Sequence, residues 1–324
     1  MSGWPSTREA AAPLVEARPT QKRRRSPLRH RAELLLFRLA TVALSLGPSG
    51  SASAFGRGVA RLYFRIGRKR RGILRSNLSS AFPEKPPEEI ARIARCCVEN
   101  LGAAFMDFLE VSEGTREELL SRVAVAGQEH LASARTLRRG VFLLSAHFGS
   151  WEIGALVAGQ LGEPISPVVR PLDNPLLDEE LARRRTLFGN RVIRKRDAAR
   201  EILRAMRRGE TVAILIDQNV LAREAVFVPF FGRLAATTPS LALLQLKTGA
   251  PVVPVFTWPL GRGRYRLEFE PPILAEELAQ SDLSREERVR LATARYMAVT
   301  ESAIRREPAA WLWMHNRWRT RPEE

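Results

Sequence analysis

Residues 141–155 read VFLLSAHFGSWEIGA, with a histidine at 147 and a glutamate at 152 just past a run of apolar residues. An imidazole and a carboxylate so placed can do general acid–base chemistry. A carboxylate on one ring nitrogen fixes the tautomer, leaves the other nitrogen free as a base, and stabilises the imidazolium that forms. A lone His followed by a Glu is also common on ordinary loops, so the neighbours must carry the reading. There is no HExxH, and the four histidines (His30, His130, His147, His315) are scattered, so no metal site is expected. No G-x-S-x-G elbow occurs, which argues against a serine hydrolase. If His147 is a base, the nucleophile arrives with the substrate. The two cysteines, Cys96 and Cys97, are adjacent, which fits neither a disulfide framework nor a thiolate zinc site.

The elements around these residues alternate. GVFLLSA, PISPVVR, TVAILID and APVVPVFTW read as buried strands, and RYRLEFEPPI as a further strand, antiparallel or at an edge. Between and after them, SWEIGALVAGQLG, NPLLDEELARRRTLFG, DAAREILRAMRRGE, TPSLALLQLKTG and the stretch beginning REERVRL read as helices. Val/Ile/Leu strands alternating with helices predict an α/β fold with a mixed, mainly parallel sheet covered by helices. In such sheets functional groups collect beyond the carboxyl ends of the strands. His147 falls there, and so do Arg170 after the next strand and Asp217-Gln218 after ILI. A helix starting near Ser150-Trp151 places Glu152 in its first turn. Arg183, Arg184 and Arg185 lie on the helix after Arg170, where a solvated face is the plain alternative to a binding role.

The net charge is +17, and nearly all of it is local. Sixteen basic residues and a single acid, Glu33, lie between Arg18 and Arg75. Within that quarter AELLLFRLATVALSLG (32–47) is apolar and helix-compatible, but short of the roughly 20 residues of a full span. It reads as a shallow or tilted membrane helix, a buried amphipathic helix, or a cleaved signal. The strongly basic RIGRKRRGILR that follows favours the first, held on the cytoplasmic side. The expected organisation is a basic, disordered N-terminus over 1–30, a membrane-associated helix over 31–56 and a catalytic domain over 57–324. Nucleic acid is not an expected partner, because no fold motif for it appears and the basic run is interleaved with Leu, Ile and Phe.

His147 and Glu152 also fit an H-x4-[D/E] pattern, and five further blocks accompany them in order: RSNLSSAFPE (75–84), VVRPLDNPLLDEEL (168–181), ILIDQN (214–219), VPFFGRLAATT (228–238) and WLWMHNRWRTRP (311–322). With HFGSWE (147–152) they cover roughly residues 60–322. In these pieces the chain resembles the glycerolipid-type acyltransferases, in the branch of the bacterial lipid A late acyltransferases and the phosphatidylinositol mannoside acyltransferases. The resemblance implies acyl transfer from a thioester, on acyl carrier protein or coenzyme A, to a hydroxyl of a membrane lipid at the bacterial inner membrane. It implies no acyl-enzyme and no cofactor. His147 would deprotonate the hydroxyl and Glu152 would orient it. Arg170 and Arg185 would meet phosphate or developing negative charge, and Asp217, with Gln218 beside it, would hold an arginine or the acceptor. An anionic membrane surface, an acidic carrier protein and a phosphorylated acceptor would each suit the basic N-terminal quarter. A lipid A precursor is the expected acceptor. A mannosylated phosphatidylinositol, an aminolipid or a lysophospholipid is the alternative, as is a membrane-bound binding protein without catalysis.

Overall fold

The computed structural model describes residues 26–45, 47, 50–161, 164–194, 198–278 and 282–322. The basic segment expected over 1–30 lies, up to residue 25, outside them. Helices α1 (Pro27–Ser45), α2 (Ser51–Ile66), α3 (Arg68–Ala81), α4 (Pro87–Val111) and α5 (Arg116–Ser121) come first. Then follow β1 (Val123–Ala126), α6 (Gln128–Thr136), β2 (Val141–Ser145), α7 (Trp151–Ala158), β3 (Ile165–Val169), α8 (Pro175–Arg185), β4 (Ile193–Arg194), α9 (Ala198–Arg207) and β5 (Thr211–Leu215). The chain continues through β6 (Val226–Phe230), β7 (Arg233–Thr237), α10 (Ser240–Thr248), β8 (Val252–Gly261), β9 (Arg264–Phe269) and α11 (Arg285–Arg306).

The main sheet has the order β1-β9-β8-β2-β5-β3-β4. All its pairs are parallel except β8–β9, so the expected α/β architecture is present with its mainly parallel sheet. RYRLEFEPPI is indeed antiparallel to its neighbour, but it is not the edge, because the short β1 pairs outside it. Side chains alternate across a strand, and β2 shows both faces covered. Phe142 and Leu144 join one apolar core with α3, α4, α9, α10 and α11; Val141 and Leu143 join another with α5, α6 and α7. A hairpin, β6–β7, stands apart from the sheet. Its turn residues Phe231 and Gly232 both have positive φ, 52° and 70°, as two-residue hairpins favour. Phe231 tolerates this because Phe82 and Trp313 meet its ring edge-on and its N–H donates to Glu301.

No helix among the described residues is long and apolar enough to cross a membrane. Residues 32–45 of the 32–47 segment instead lie within α1, which rests on the body through a polar side. Asn174 donates to the His30 carbonyl and to Glu33, Arg38 pairs with Glu180, and Thr41 is buried. The other side, Leu28, Leu35, Leu39 and Val42, faces outward at helical spacing. The expected boundary at 56/57 falls inside α2, which crosses α4 at Gly56 and Gly102 so closely that a Cβ on either glycine would meet the other's carbonyl. Gly102→Ala is therefore expected to push α2 off α4, at about 1–3 kcal/mol for overpacking. A lowered thermal midpoint, with faster protease cutting around residues 45–67, would show it; an unchanged midpoint would mean that the crossing yields freely.

Candidate active site

β2 and β5 are neighbours, with Ser145 opposite Leu215. Two residues beyond each strand lie His147 and Asp217, so the register itself brings them together. Asp217 is buried and takes three donors: the His147 backbone N–H at 2.9 Å, the His147 ring Nδ1–H at 2.9 Å and the Trp311 indole Nε1–H at 2.8 Å. Burial alone would raise its carboxyl. The His147 charge and these hydrogen bonds outweigh burial and hold it at about 2. An ionised carboxylate only accepts, so Nδ1 carries the proton and Nε2 of the neutral ring is left bare. Nε2 faces the exposed Gln218, whose amide nitrogen is 3.2 Å away. Burial would lower the imidazole's pKa, but the Asp217 charge and hydrogen bond, with the Glu152 charge behind them, hold it above its ordinary value.

The loop carrying His147 is clamped on two sides. Gly149, at φ +55°, donates its N–H to the Ala310 carbonyl, and a Cβ there would run into the Thr257 carbonyl of β8. The Leu312 N–H returns to the His147 carbonyl. Trp151 meets the imidazole edge-on, with centroids 5.0 Å apart.

Glu152 does lie in the first turn of α7, but the hydrogen bond expected between it and His147 is not there. Arg185 holds Glu152 instead, with Nε at 2.9 and 3.2 Å from its two oxygens. The imidazole's carboxylate partner is Asp217, which was expected to hold an arginine or the acceptor. The physical reason is the sheet. Side-by-side parallel strands deliver Asp217 directly beneath the ring, while α7 turns Glu152 towards α8.

The Arg183–Arg185 run is not one solvated face. Arg183 is exposed and pairs with Glu180, Arg184 is buried and Arg185 reaches Glu152. Arg170 follows β3 on the same rim, exposed and without an ion-pair partner among the described residues. Trp311, His315 and Asn219 belong to the site's support and had no role assigned from sequence. The His315 ring accepts the Asn219 N–H at 2.8 Å, and burial keeps it below the ordinary imidazole value. The only sequence signal for these residues was their place in the ILIDQN and WLWMHNRWRTRP blocks.

Known relatives fix the class of molecule that carries this site: it is an acyltransferase. The family model for the bacterial lipid A biosynthesis acyltransferases matches residues 20–320, and the chain belongs to that family. It is 31% identical over 272 residues to the lipid A biosynthesis lauroyltransferase of Escherichia coli K12, which spans 83% of this chain and 85% of that one. It is 28% identical to the lipid A biosynthesis palmitoleoyltransferase of the same strain, over 79% of this chain and 80% of the other. A phosphatidylinositol mannoside acyltransferase of Mycobacterium tuberculosis is 27% identical over 59% of this chain and 62% of its own. The crystal structure of the 1-acyl-sn-glycerophosphate acyltransferase PlsC from Thermotoga maritima covers 82% of this chain and 98% of its own. At 18% identity and a TM-score of 0.37, that likeness is too loose to carry a conclusion.

Proposed function

We propose that this protein moves a fatty acyl group from a thioester, on acyl carrier protein or coenzyme A, to a hydroxyl of a lipid A precursor at the inner face of the bacterial cytoplasmic membrane. The observation that carries it is the His147 ring, with Nδ1 tied to an ionised Asp217 and Nε2 turned to the exposed rim. Nε2 takes the proton from the acceptor hydroxyl. The oxygen attacks the thioester carbon, the carbon–sulfur bond breaks, and the leaving thiolate recovers the proton from His147. Asp217 stabilises the imidazolium between these steps. Glu152 holds the Arg185 guanidinium at the same rim, and Arg185 and Arg170 supply positive charge for an acceptor phosphate or for the thioester oxygen as it becomes negative.

The acceptor is open to a direct test. Acyl-loaded carrier protein is mixed with a bisphosphorylated, hydroxyacylated glucosamine disaccharide, a lysophospholipid and a mannosylated phosphatidylinositol. The protein is expected to add one acyl unit to the disaccharide in the mass spectrum. A mass gain confined to either other lipid gives the acceptor to that lipid. No gain anywhere leaves a binding protein without catalysis.

The exposed faces of α1 and α2 support membrane attachment as part of this reading. Leu35, Leu39 and Val42 on α1, and Phe55, Val59, Leu62 and Ile66 on α2, form exposed apolar stripes, and Arg61, Arg65, Arg68, Lys69 and Arg70 lie close in sequence. Such helices lie in the interface plane of a membrane. The electrostatic part fades as the Debye length falls from about 10 Å at 0.1 M salt to about 3 Å at 1 M, while apolar insertion does not. The protein is expected to stay with anionic vesicles at 1 M salt. A variant with both stripes altered, Leu35→Gln, Leu39→Gln and Val42→Gln with Val59→Gln, Leu62→Gln and Ile66→Gln, is expected to come off, since each full burial contributes about 1.5–3 kcal/mol. Release of the unaltered protein by salt alone would show that the stripes are not inserted.

A further inference from the structure

We propose that the cavity between β7 and the C-terminal segment is a subsite for a phosphate ester carried by one of the two substrates; this rests on the transfer reaction proposed above. The cavity, ≈ 400 Å³, is lined by Arg233, Leu234, Trp318, Arg321 and Pro322. Arg233 and Arg321 are exposed and have no acidic partner among the described residues. The Arg233 guanidinium is stacked over the Trp318 ring, 5.1 Å from its centroid, so its position is set before any ligand arrives. Trp318 is 6% exposed, and its indole N–H has no acceptor among the described residues. Behind it Arg317 is fully buried on the Phe230 ring. Among the described residues its guanidinium hydrogen-bonds to the Ala236 carbonyl and the Thr237 hydroxyl, and its Nε has no acceptor. Among the described residues this group of cations and buried donors has no carboxylate at ion-pair distance, so it suits an anion. A phosphate ester supplies one, and guanidinium forks match its oxygens. Leu234 and Pro322 give the apolar wall that the ester's organic part needs.

The cavity also has a physical link to His147. Thr320, between Trp318 and Arg321, exchanges two hydrogen bonds with the Asn219 side chain, at 3.0 and 3.1 Å. Asn219 follows Gln218, whose amide touches Nε2 of His147. An ester held at the cavity is therefore next to the loop that borders the reacting nitrogen. Both substrates offer such a group: a phosphopantetheine arm carries a phosphate on the donor, and a phosphorylated sugar carries one on the acceptor.

The test uses the full chain and the double variant Arg233→Gln/Arg321→Gln. Acyl-4′-phosphopantetheine is compared with acyl-pantetheine, and phosphorylated acceptor with its dephosphorylated form. The variant is expected to raise KM about tenfold or more for the phosphate-bearing member of one pair, with kcat within about twofold. The member lacking phosphate should be unaffected. The pair that responds identifies donor or acceptor as the source. Unchanged KM for both phosphate-bearing substrates overturns the proposal, as does an equal rise for the dephosphorylated ones. If the protein transfers no acyl group at all, binding of inorganic pyrophosphate decides without turnover. A saturable change in tryptophan emission, lost in the double variant, keeps the subsite, and no change removes it.

Discussion

His147→Ala is expected to cut turnover by about 10²–10⁴-fold, the usual worth of a positioned general base, and to leave the fold intact. The side chain is 22% exposed on a rim, so little of the core depends on it. Asp217→Asn tests who orients it. In the folded protein the Asp217 charge raises the His147 pKa above its ordinary 6.5 against the pull of burial. The ring works as a base only when neutral. The rate should therefore rise with pH through that elevated pKa, and Asp217→Asn should move this acidic limb to lower pH while lowering kcat. Glu152→Gln removes a more distant charge and should shift the limb in the same direction, but less. Initial rates from pH 5 to 9 for the three proteins read all of this. Should Glu152→Gln abolish turnover while Asp217→Asn stays near wild type, the pairing expected from the sequence is the working one.

Arg184→Met is expected to be the most destabilising change on α8, by about 3–5 kcal/mol. The Arg184 guanidinium is 2% exposed, meets Glu180 at 3.1 Å, reaches Glu113 and Ser112, and is stacked over Phe37 of α1 at 5.4 Å. Methionine keeps the volume but leaves the buried Glu180 short of its innermost cation. Arg183→Met beside it removes an exposed cation from the same carboxylate, which keeps Arg184 and Arg38, so a smaller loss is expected. Thermal unfolding of both variants separates the cases. A loss of under about 1 kcal/mol at position 184 would put it with the surface pairs.

The same helix shows what the sequence could and could not say. Three successive arginines on a polar helix look alike in one dimension. Only the turn of the helix against α4 and α1 makes the middle one a buried tie and the third a partner of Glu152. The α/β class was legible because VFLLS, TVAIL and VVPVF are apolar runs separated by helices of the right length. β1 and β4 were missed because four and two residues carry no periodicity. The β6–β7 hairpin was missed because its turn is Phe-Gly, without the usual Asn-Gly signal. His147, Arg170 and Asp217 could be placed on one rim from their strand ends. That β2 and β5 lie side by side, and hence that His147 meets Asp217 rather than Glu152, depends on strand order, which a single sequence does not encode.

The segment from Ala310 to Thr320, which closes over the site, comes after all the strands in the sequence. Trp311 reaches back across 94 residues to Asp217, and Thr320 across 101 to Asn219. A ribosome adds about 5–20 residues per second, so β5 is made roughly 5–20 s before Trp311, and β2 earlier still. In that interval the nascent chain holds His147 and Asp217, but lacks the indole donor and the outer clamp on the histidine loop. Helices α1 and α2 are made before any of the strands. Synthesis from the N-terminus thus imposes an order: on the proposed function, the helices that would meet the bilayer precede the segment that finishes the site, and a half-made chain lacks the complete site for transfer.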